Sequence, residues 1–483
     1  MNYQIIRRTI GWLLLFEGIF LAIPLITAII YWEKEFFSVL GVMLACIGLG
    51  LLCVWKKPKK DTIYAKEGLV ITALSWIVMS LFGCLPFFIS GKIPSFTDAL
   101  FETVSGFTTT GATILSGEQI ESMPNCLLIW RSFTHWIGGM GVLVFIMAFL
   151  PLSGARNMNL MKAESPGPTV DKLVPKVKTT AKILYFIYIM LTLTQFIFVL
   201  FGGVSVFEAL NIAFSVAGTG GFAIRGDSFA SYSPYVQVVS TIFMLLFSVN
   251  FNAYYLLGRG RFKDVLSAEV RVFFIIVFSA ISLVVLNLCV TGVGDYTLGE
   301  TIRHSAFTVA SIISTTGITT ENFDLWPAFS KTIIVTIMWI GACAGSTGGG
   351  IKVSRIIVLF KNASSQVRRI IHPNQIQTVS IDKKAVDSET IRTANAFIVV
   401  YLLIYFLSTI AVAIDSPSFE VAFSSVAATI NNVGPGLGAI GPAGNFAFYS
   451  NFSKYVLIFD MLAGRLEIFP IVVLFLPSTW KRN

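Results

Sequence analysis

Apolar runs longer than about 18 residues recur from one end of this chain to the other, the signature of a multi-spanning helical membrane protein. Hydrocarbon offers backbone amides and carbonyls no partner, so each long apolar run must satisfy its own hydrogen bonds as a helix. A porin-type barrel would show short alternating segments instead. The composition agrees. Of 483 residues, 55% are hydrophobic and only 13% charged, against roughly 25% charged in a soluble domain. A water-soluble enzyme is excluded. Arg7 and Arg8 precede an apolar stretch too long for a signal-peptide core, which therefore reads as a retained first span.

The hydropathy pattern predicts ten spans, over 9–32, 37–55, 68–90, 126–150, 183–203, 236–257, 272–292, 332–360 (broken), 394–415 and 454–477. With the N-terminus inside, cytoplasmic segments collect 25 of the 35 Lys and Arg residues. Six fall outside (Lys34, Lys92, Arg225, Arg303, Lys331, Lys454), and Arg131, Lys352, Arg355 and Arg465 lie at membrane depth. That asymmetry places both termini in the cytoplasm. The net charge of +9 is thus a topology signal and needs no nucleic acid to explain it. The six cysteines (46, 53, 84, 126, 289, 343) lie in or beside apolar segments without metal-ligand spacing and read as buried free thiols. His304 and His372 stand alone, and nothing resembles a metal cluster or a nucleophile and base pair.

After the first two spans one unit recurs four times: a long apolar helix, a short segment, a glycine-centred stretch, then a second long helix. The stretches read FTTTGAT (107–113), AGTGGFA (217–223), ISTTGIT (313–319) and INNVGPG (430–436). Aligning Gly111, Gly221, Gly317 and Gly434 places Ala99, Ala209, Ser305 and Ala422 at the same distance upstream. This divides the chain into an N-terminal helix pair (1–66) and four repeats (67–165, 166–264, 265–385, 386–483).

The short segments at 96–108, 205–218, 300–314 and 418–431 cannot cross a bilayer core of about 30 Å and fit re-entrant half-helices. Non-helical backbone at membrane depth must be buried in protein or line a watery cavity, so four such segments around one axis imply a central pore. The negative C-terminal ends of four half-helices favour a cation there. Carbonyl rings are expected from Thr109, Thr110 and Gly111; Thr219, Gly220 and Gly221; Thr315, Thr316 and Gly317; and Asn432, Val433 and Gly434. These stretches contain no carboxylate, which argues against a divalent-cation filter. The residues alone leave potassium and sodium unseparated.

Together, SGFTTTGAT, HWIGGMGV (135–142), GACAGSTGGGIKVSRI (341–356), NNVGPGLG (431–438) and MLAGRLEIFP (461–470) resemble the TrkH potassium-uptake proteins of the bacterial Trk/Ktr/HKT superfamily. The resemblance covers nearly the whole chain. It implies an all-α polytopic fold of ten transmembrane helices with four re-entrant pore half-helices, arranged as four membrane-pore-membrane repeats around one pseudo-fourfold pore. It also implies a homodimer in the bacterial inner membrane. The second repeat departs from the family pattern at AGTGGFAIR but keeps its glycine. In plant relatives a serine at the first filter glycine accompanies sodium permeation, so four glycines favour potassium by resemblance.

The middle of the eighth span reads GACAGSTGGG (341–350), and glycine costs about 1 kcal/mol per residue in a helix interior. The span should break into two helices joined by an intramembrane loop. Close packing through small residues is the alternative. The spacing from Gly345 to Gly350 mimics a phosphate-binding loop, but Ile351 intervenes before Lys352. The expected gate comprises Gly345, Ser346, Thr347, Gly348, Gly349 and Gly350 with Lys352 and Arg465. Arg465 lies mid-span, where its charge must face a cavity or a partner. By resemblance it sits just below the filter; Glu467 and Asp460 are its alternative partners. Lys352 either joins the gate or snorkels to the cytoplasm, and Arg355 is expected at the interface. Arg131 and His135 share a helical face and could contact Glu102 or Glu118 in a structural network.

Loops 151–182 and 361–393 carry twelve Lys and Arg with Pro166, Pro168, Pro175 and Pro373, either as positive-inside charge alone or as a docking surface. By resemblance the docked partner is TrkA, a cytosolic ring that binds nucleotide. This chain itself needs no cofactor and has no GxGxxG unit after a strand. The expected function is potassium uptake, not enzymatic catalysis. A symporter coupled to protons or sodium is the alternative, and a subunit of an ATP-driven pump is a third reading.

Overall fold

The computed structural model describes residues 1–58, 64–141, 177–294, 296–375, 378–382 and 384–480. The second half of the expected fourth span, Val142 of the HWIGGMGV motif, Pro166, Pro168 and Pro175 lie outside the described residues. Within them the protein is all helical apart from a small antiparallel hairpin, Ser380–Ile381 with Lys384–Ala385.

Six helices among the described residues are long and apolar enough to cross a membrane: Tyr3–Ile30, Phe36–Val54, Ala65–Ile89, Thr179–Leu200, Ala268–Thr291 and Ser388–Val412. Each matches an expected span. The remaining expected spans are all second helices of repeats, and their described parts are short because the helix stops. In repeat one, Asn125–Gly139 ends before Gly141, whose φ is 80°. In repeat three, Ala328–Ile340 and Val353–Ile371 flank the loop 341–352, as the glycine cluster predicts. Two further breaks correct the expectation of continuous helices. The span expected over 236–257 is Pro234–Ser248 followed by Phe251–Gly258, bent by 91°. The extended backbone of Val249 and the Asn250 side chain, which accepts the amide of Asn252, start a new helix there. The last span separates into Asn451–Arg465 and Phe469–Phe475 because Glu467 and Ile468 adopt φ of 50° and 68°.

Four short helices fill the centre: Phe96–Phe107, Val206–Ala217, Leu298–Ile313 and Phe419–Ile430. Three have 12 residues and Leu298–Ile313 has 16, lengths of about 18 and 24 Å that are too short to cross. Each begins at a hydroxyl cap, Ser95, Ser205, Thr297 or Ser418, whose oxygen accepts an amide of the first turn. Their later turns are enclosed by protein. From Ala99 to Phe107 every residue of the first is buried, and the fourth is buried at nine of its twelve positions, which keeps it away from lipid.

The N-terminal pair is tied into this core. Its connecting segment carries Glu33, whose two carboxylate oxygens accept the amides of Asn125 (2.6 Å) and Cys126 (2.9 Å). Pro124 precedes that helix and offers no side-chain cap, so the carboxylate comes from another element and meets the positive helix end. Four cysteines are buried as expected, whereas Cys53 is half-buried and Cys289 exposed. Replacing Glu33 with Ala should destabilise the protein by ~1 kcal/mol, the usual cost of a lost N-cap, read as a lower Tm of the detergent-solubilised protein.

Candidate functional site

Each short helix ends in the same hydrogen-bonded turn. The amides of Thr109, Thr219, Thr315 and Asn432 donate three residues back, to Gly106, Val216, Ile312 and Thr429. The amides of Thr110, Gly220, Thr316 and Val433 donate five residues back, to Ser105, Ser215, Ser311 and Ala428. This is the Schellman pattern, which requires a left-handed residue after the helix. Here that residue is Thr109 (φ 54°), Thr219 (52°), Thr315 (59°) or Asn432 (55°). Positive φ is unusual for a β-branched residue and costs of order 1–3 kcal/mol at each of the three threonines, whereas asparagine, at position 432, adopts it more readily. Two residues on, Gly111, Gly221, Gly317 and Gly434 return to positive φ, between 76° and 97°.

The four strands close into a ring. A Cβ added to Gly111 would strike the carbonyl oxygen of Gly220, one on Gly221 that of Thr316, one on Gly317 that of Val433, and one on Gly434 that of Thr110. Each repeat thus abuts the next, and the fourth returns to the first. All four glycines line one cavity, together with Thr113, Phe222, Thr319 and Pro435. The twelve residues expected in the rings are therefore brought together.

Behind the first two strands lies a buried network. Glu102 accepts the Arg131 guanidinium (2.6 Å), the amide of Ile114 (3.0 Å) and the Thr113 hydroxyl (3.0 Å). Arg131 also donates to the Ala223 carbonyl (2.8 Å) and lies over the Phe222 ring. His135 contacts the Gly106 carbonyl through Nδ1 (2.7 Å) and accepts the Phe222 amide at Nε2 (3.2 Å). The carboxylate that Arg131 meets is Glu102, not Glu118. His304 bonds the Thr320 hydroxyl (2.9 Å) in the third repeat, so it too braces a strand.

Below the ring lie the breaks in the second helices of repeats two, three and four and the C-terminal end of Asn125–Gly139. The loop 341–352 rests against the break in repeat two: the Cys343 amide donates to Ser248, the Phe251 amide to Gly345, and the Thr347 hydroxyl to Phe247 (3.2 Å). Upward it meets the ring, where the Gly349 amide donates to Thr315 Oγ1 (2.7 Å). Gly348 and Gly349 pack so closely on the backbone of Ser314 and Asn431 that a Cβ at either would crowd a carbonyl oxygen. Arg465 donates to the carbonyls of Thr347 (2.9 Å), Gly139 (2.8 Å) and Gly138. It therefore binds the loop to the C-terminal end of Asn125–Gly139, where helix carbonyls lack partners and the helix dipole favours a cation. Of the residues expected in the gate, Gly345 to Gly350 and Arg465 form one assembly beneath the ring.

Lys352 belongs to an adjoining cluster. Its Nζ lies 3.7 Å from Glu467, and Arg355 bonds the other oxygen of the same carboxylate. Arg355 was expected at the interface, but it is buried, stacked on Phe397 with its guanidinium 4.1 Å from the ring centre. The break in the last span explains this, because it turns Glu467 inward to meet both cations. Glu467 itself, considered in the sequence only as a partner for Arg465, is the anion of this cluster. Glu269 is a second missed residue. Its Oε1 accepts the amides of Ala344 (2.7 Å) and Ser354 (3.2 Å), clasping the loop at both ends. A lone acid at the start of an apolar span was its only signal.

The profile of the TrkH family, described as a cation transport protein, matches residues 36–482. This chain belongs to the TrkH family. It is 35% identical to the Trk system potassium uptake protein TrkH of Escherichia coli K12 across the full length of both chains. It is 33% identical to the Trk system potassium uptake protein TrkH of Halomonas elongata, again over all of both. The crystal structure of the potassium transporter TrkH from Vibrio parahaemolyticus aligns with a TM-score of 0.89 at 29% identity, covering all of each chain. As a member of the TrkH family the chain is a polytopic membrane protein, and its relatives are named as transporters rather than enzymes.

Removing the anion of a buried charge cluster leaves its cations uncompensated. Glu467→Gln should therefore destabilise the protein by ~3–5 kcal/mol, visible as a lower Tm or loss of monodisperse protein, whereas Glu118→Gln should change neither.

Proposed function

We propose that this chain takes up potassium across the bacterial inner membrane, through a filter formed by Thr109–Gly111, Thr219–Gly221, Thr315–Gly317 and Asn432–Gly434. The observation that carries the reading is the closed ring of strands whose φ is positive, negative and positive in succession. That alternation turns successive carbonyls toward one side, as a ring of cation ligands requires. The four helix C-termini aimed at the same place add negative potential. With carbonyls in place of water and no carboxylate in the ring, a monovalent cation is the matching cargo. The names of the relatives make potassium the choice. Flux is driven inward by membrane potential, worth about 2.3 kcal/mol per charge per 100 mV.

The gate in this proposal is the loop 345–350 with Arg465, and Lys352 acts from beside it through Glu467. A fixed guanidinium below the ring raises the barrier for an entering cation. The basic segments on the cytoplasmic face, including Lys361, Arg368 and Arg369, dock a TrkA-type regulatory subunit that carries the nucleotide. Both termini face the cytoplasm, and two copies form a homodimer in the lipid bilayer.

Reconstitution into liposomes with an imposed potassium gradient and no other energy source tests the reading. Potassium flux that follows voltage and needs no proton or sodium gradient is the expected result. Flux that requires either gradient overturns the channel-like mechanism. In the same assay Gly111→Ser should lower the potassium-to-sodium permeability ratio by roughly tenfold, the factor that about 1.4 kcal/mol represents. The serine must adopt positive φ, and its Cβ meets the Gly220 carbonyl. Arg465→Ala should raise the basal flux severalfold without the regulator; unchanged flux with folded protein would remove the charge from the barrier.

A further inference from the structure

Three of the four ring strands carry a side chain immediately before the glycine, Thr110, Thr316 and Val433, while the second carries Gly220. The three side chains are all buried. The Thr110 hydroxyl bonds the Thr108 hydroxyl (2.8 Å) and accepts from the side-chain Nδ2 of Asn432 (2.9 Å), and the Thr316 hydroxyl bonds Ser314 (2.7 Å). In repeat two that volume is taken. A Cβ at Gly220 would fall on the imidazole of His135, which comes from the second helix of repeat one. Gly218 is pressed in the same way against the His135 carbonyl.

The His135 ring also has a defined hydrogen-bonding state. The Phe222 amide only donates, so Nε2 must present its lone pair; the Gly106 carbonyl only accepts, so Nδ1 must carry the proton. The imidazole is neutral, with both nitrogens engaged and no exposed surface. It joins the first pore helix to the residue that follows Gly221. Its ring packs on Phe222 at 4.2 Å between centroids, and Arg131 covers Phe222 at 3.6 Å.

We infer that His135 is a positioning residue for ion selectivity, an imidazole supplied by repeat one that replaces the missing side chain at Gly220 and fixes the carbonyls of the second filter strand. The inference rests on the filter reading and deepens it. It also explains why the second repeat departs from the pattern of the others: Gly220 is glycine because His135 occupies the space. The ion touches neither group of the pair directly through its side chain. His135 acts through the backbone of Gly220, Gly221 and Phe222.

A double-mutant cycle in the full-length protein, reconstituted in liposomes, tests it by the potassium-to-sodium permeability ratio. H135A should lower the ratio by roughly tenfold while folded protein is still recovered, because the Phe222 amide loses its acceptor and the strand its support. H135Q, whose amide oxygen can accept the same amide, should retain most of the ratio. G220A in the native background should lower the ratio through collision with the ring, and in the H135A background it should cost far less. An unchanged ratio in H135A, or simple additivity of G220A and H135A, overturns the inference. If H135A is not recovered folded, G220A and H135Q carry the test, and native selectivity in G220A overturns it. Native protein without potassium preference would instead remove the filter reading, independently of the variants.

Discussion

Every distinctive feature of this fold follows from one constraint: backbone that stops being helical inside a membrane must find its hydrogen bonds within the protein or at an ion. Four short helices end at membrane depth, each leaving a set of carbonyls without intrahelical partners. The Schellman turns satisfy two of these at each site and force left-handed geometry on Thr109, Thr219, Thr315 and Asn432. The carbonyls that remain are, in the function proposed here, the ones a cation would meet. Enclosure by a closed ring of strands is what makes that arrangement tolerable in lipid.

The same constraint governs the layer below. Second helices break in repeats two, three and four, Asn125–Gly139 ends at the same layer in repeat one, and each such end exposes more backbone. Arg465 answers for the carbonyls of Gly138, Gly139 and Thr347, and Glu269 for the amides of Ala344 and Ser354. Long charged side chains at membrane depth are costly in isolation, but here each neutralises the loose end of a helix or loop. The breaks and the charges are thus one device. Loop 341–352 contacts the ring through Gly349 and Thr315 and contacts the last span through Arg465, so a displacement of the loop must disturb both.

Fourfold repetition is kept where backbone geometry is at stake and abandoned where side chains meet. The turns, caps and glycines recur in each repeat. The supports behind the strands do not: Glu102, Arg131 and His135 serve the first and second, His304 the third, and Asn432 links the fourth to Met461 and Thr110. Backbone rings need equivalent positions, whereas packing needs only that each gap be filled and each polar group be satisfied.

Local chemistry made much of this legible in the sequence. Apolar length identified the membrane spans, four glycines in one register marked the ring, and five glycines between 341 and 350 announced the broken eighth span. Those signals act over a few residues, so no distant partner was needed to read them. Other features belong to the tertiary structure alone. The break at Val249 carries no glycine or proline of its own, that at Glu467–Ile468 is marked only by Pro470 in the first turn of the next helix, and burial of Arg355 depends on where the last span turns Glu467. Likewise, Gly220 appears as an irregularity in its own repeat until the His135 ring, 85 residues earlier in the chain, is seen to fill its place. Backbone preference is written in neighbouring residues, but the pairing of buried charges and the sharing of space are settled only when distant segments are brought into contact.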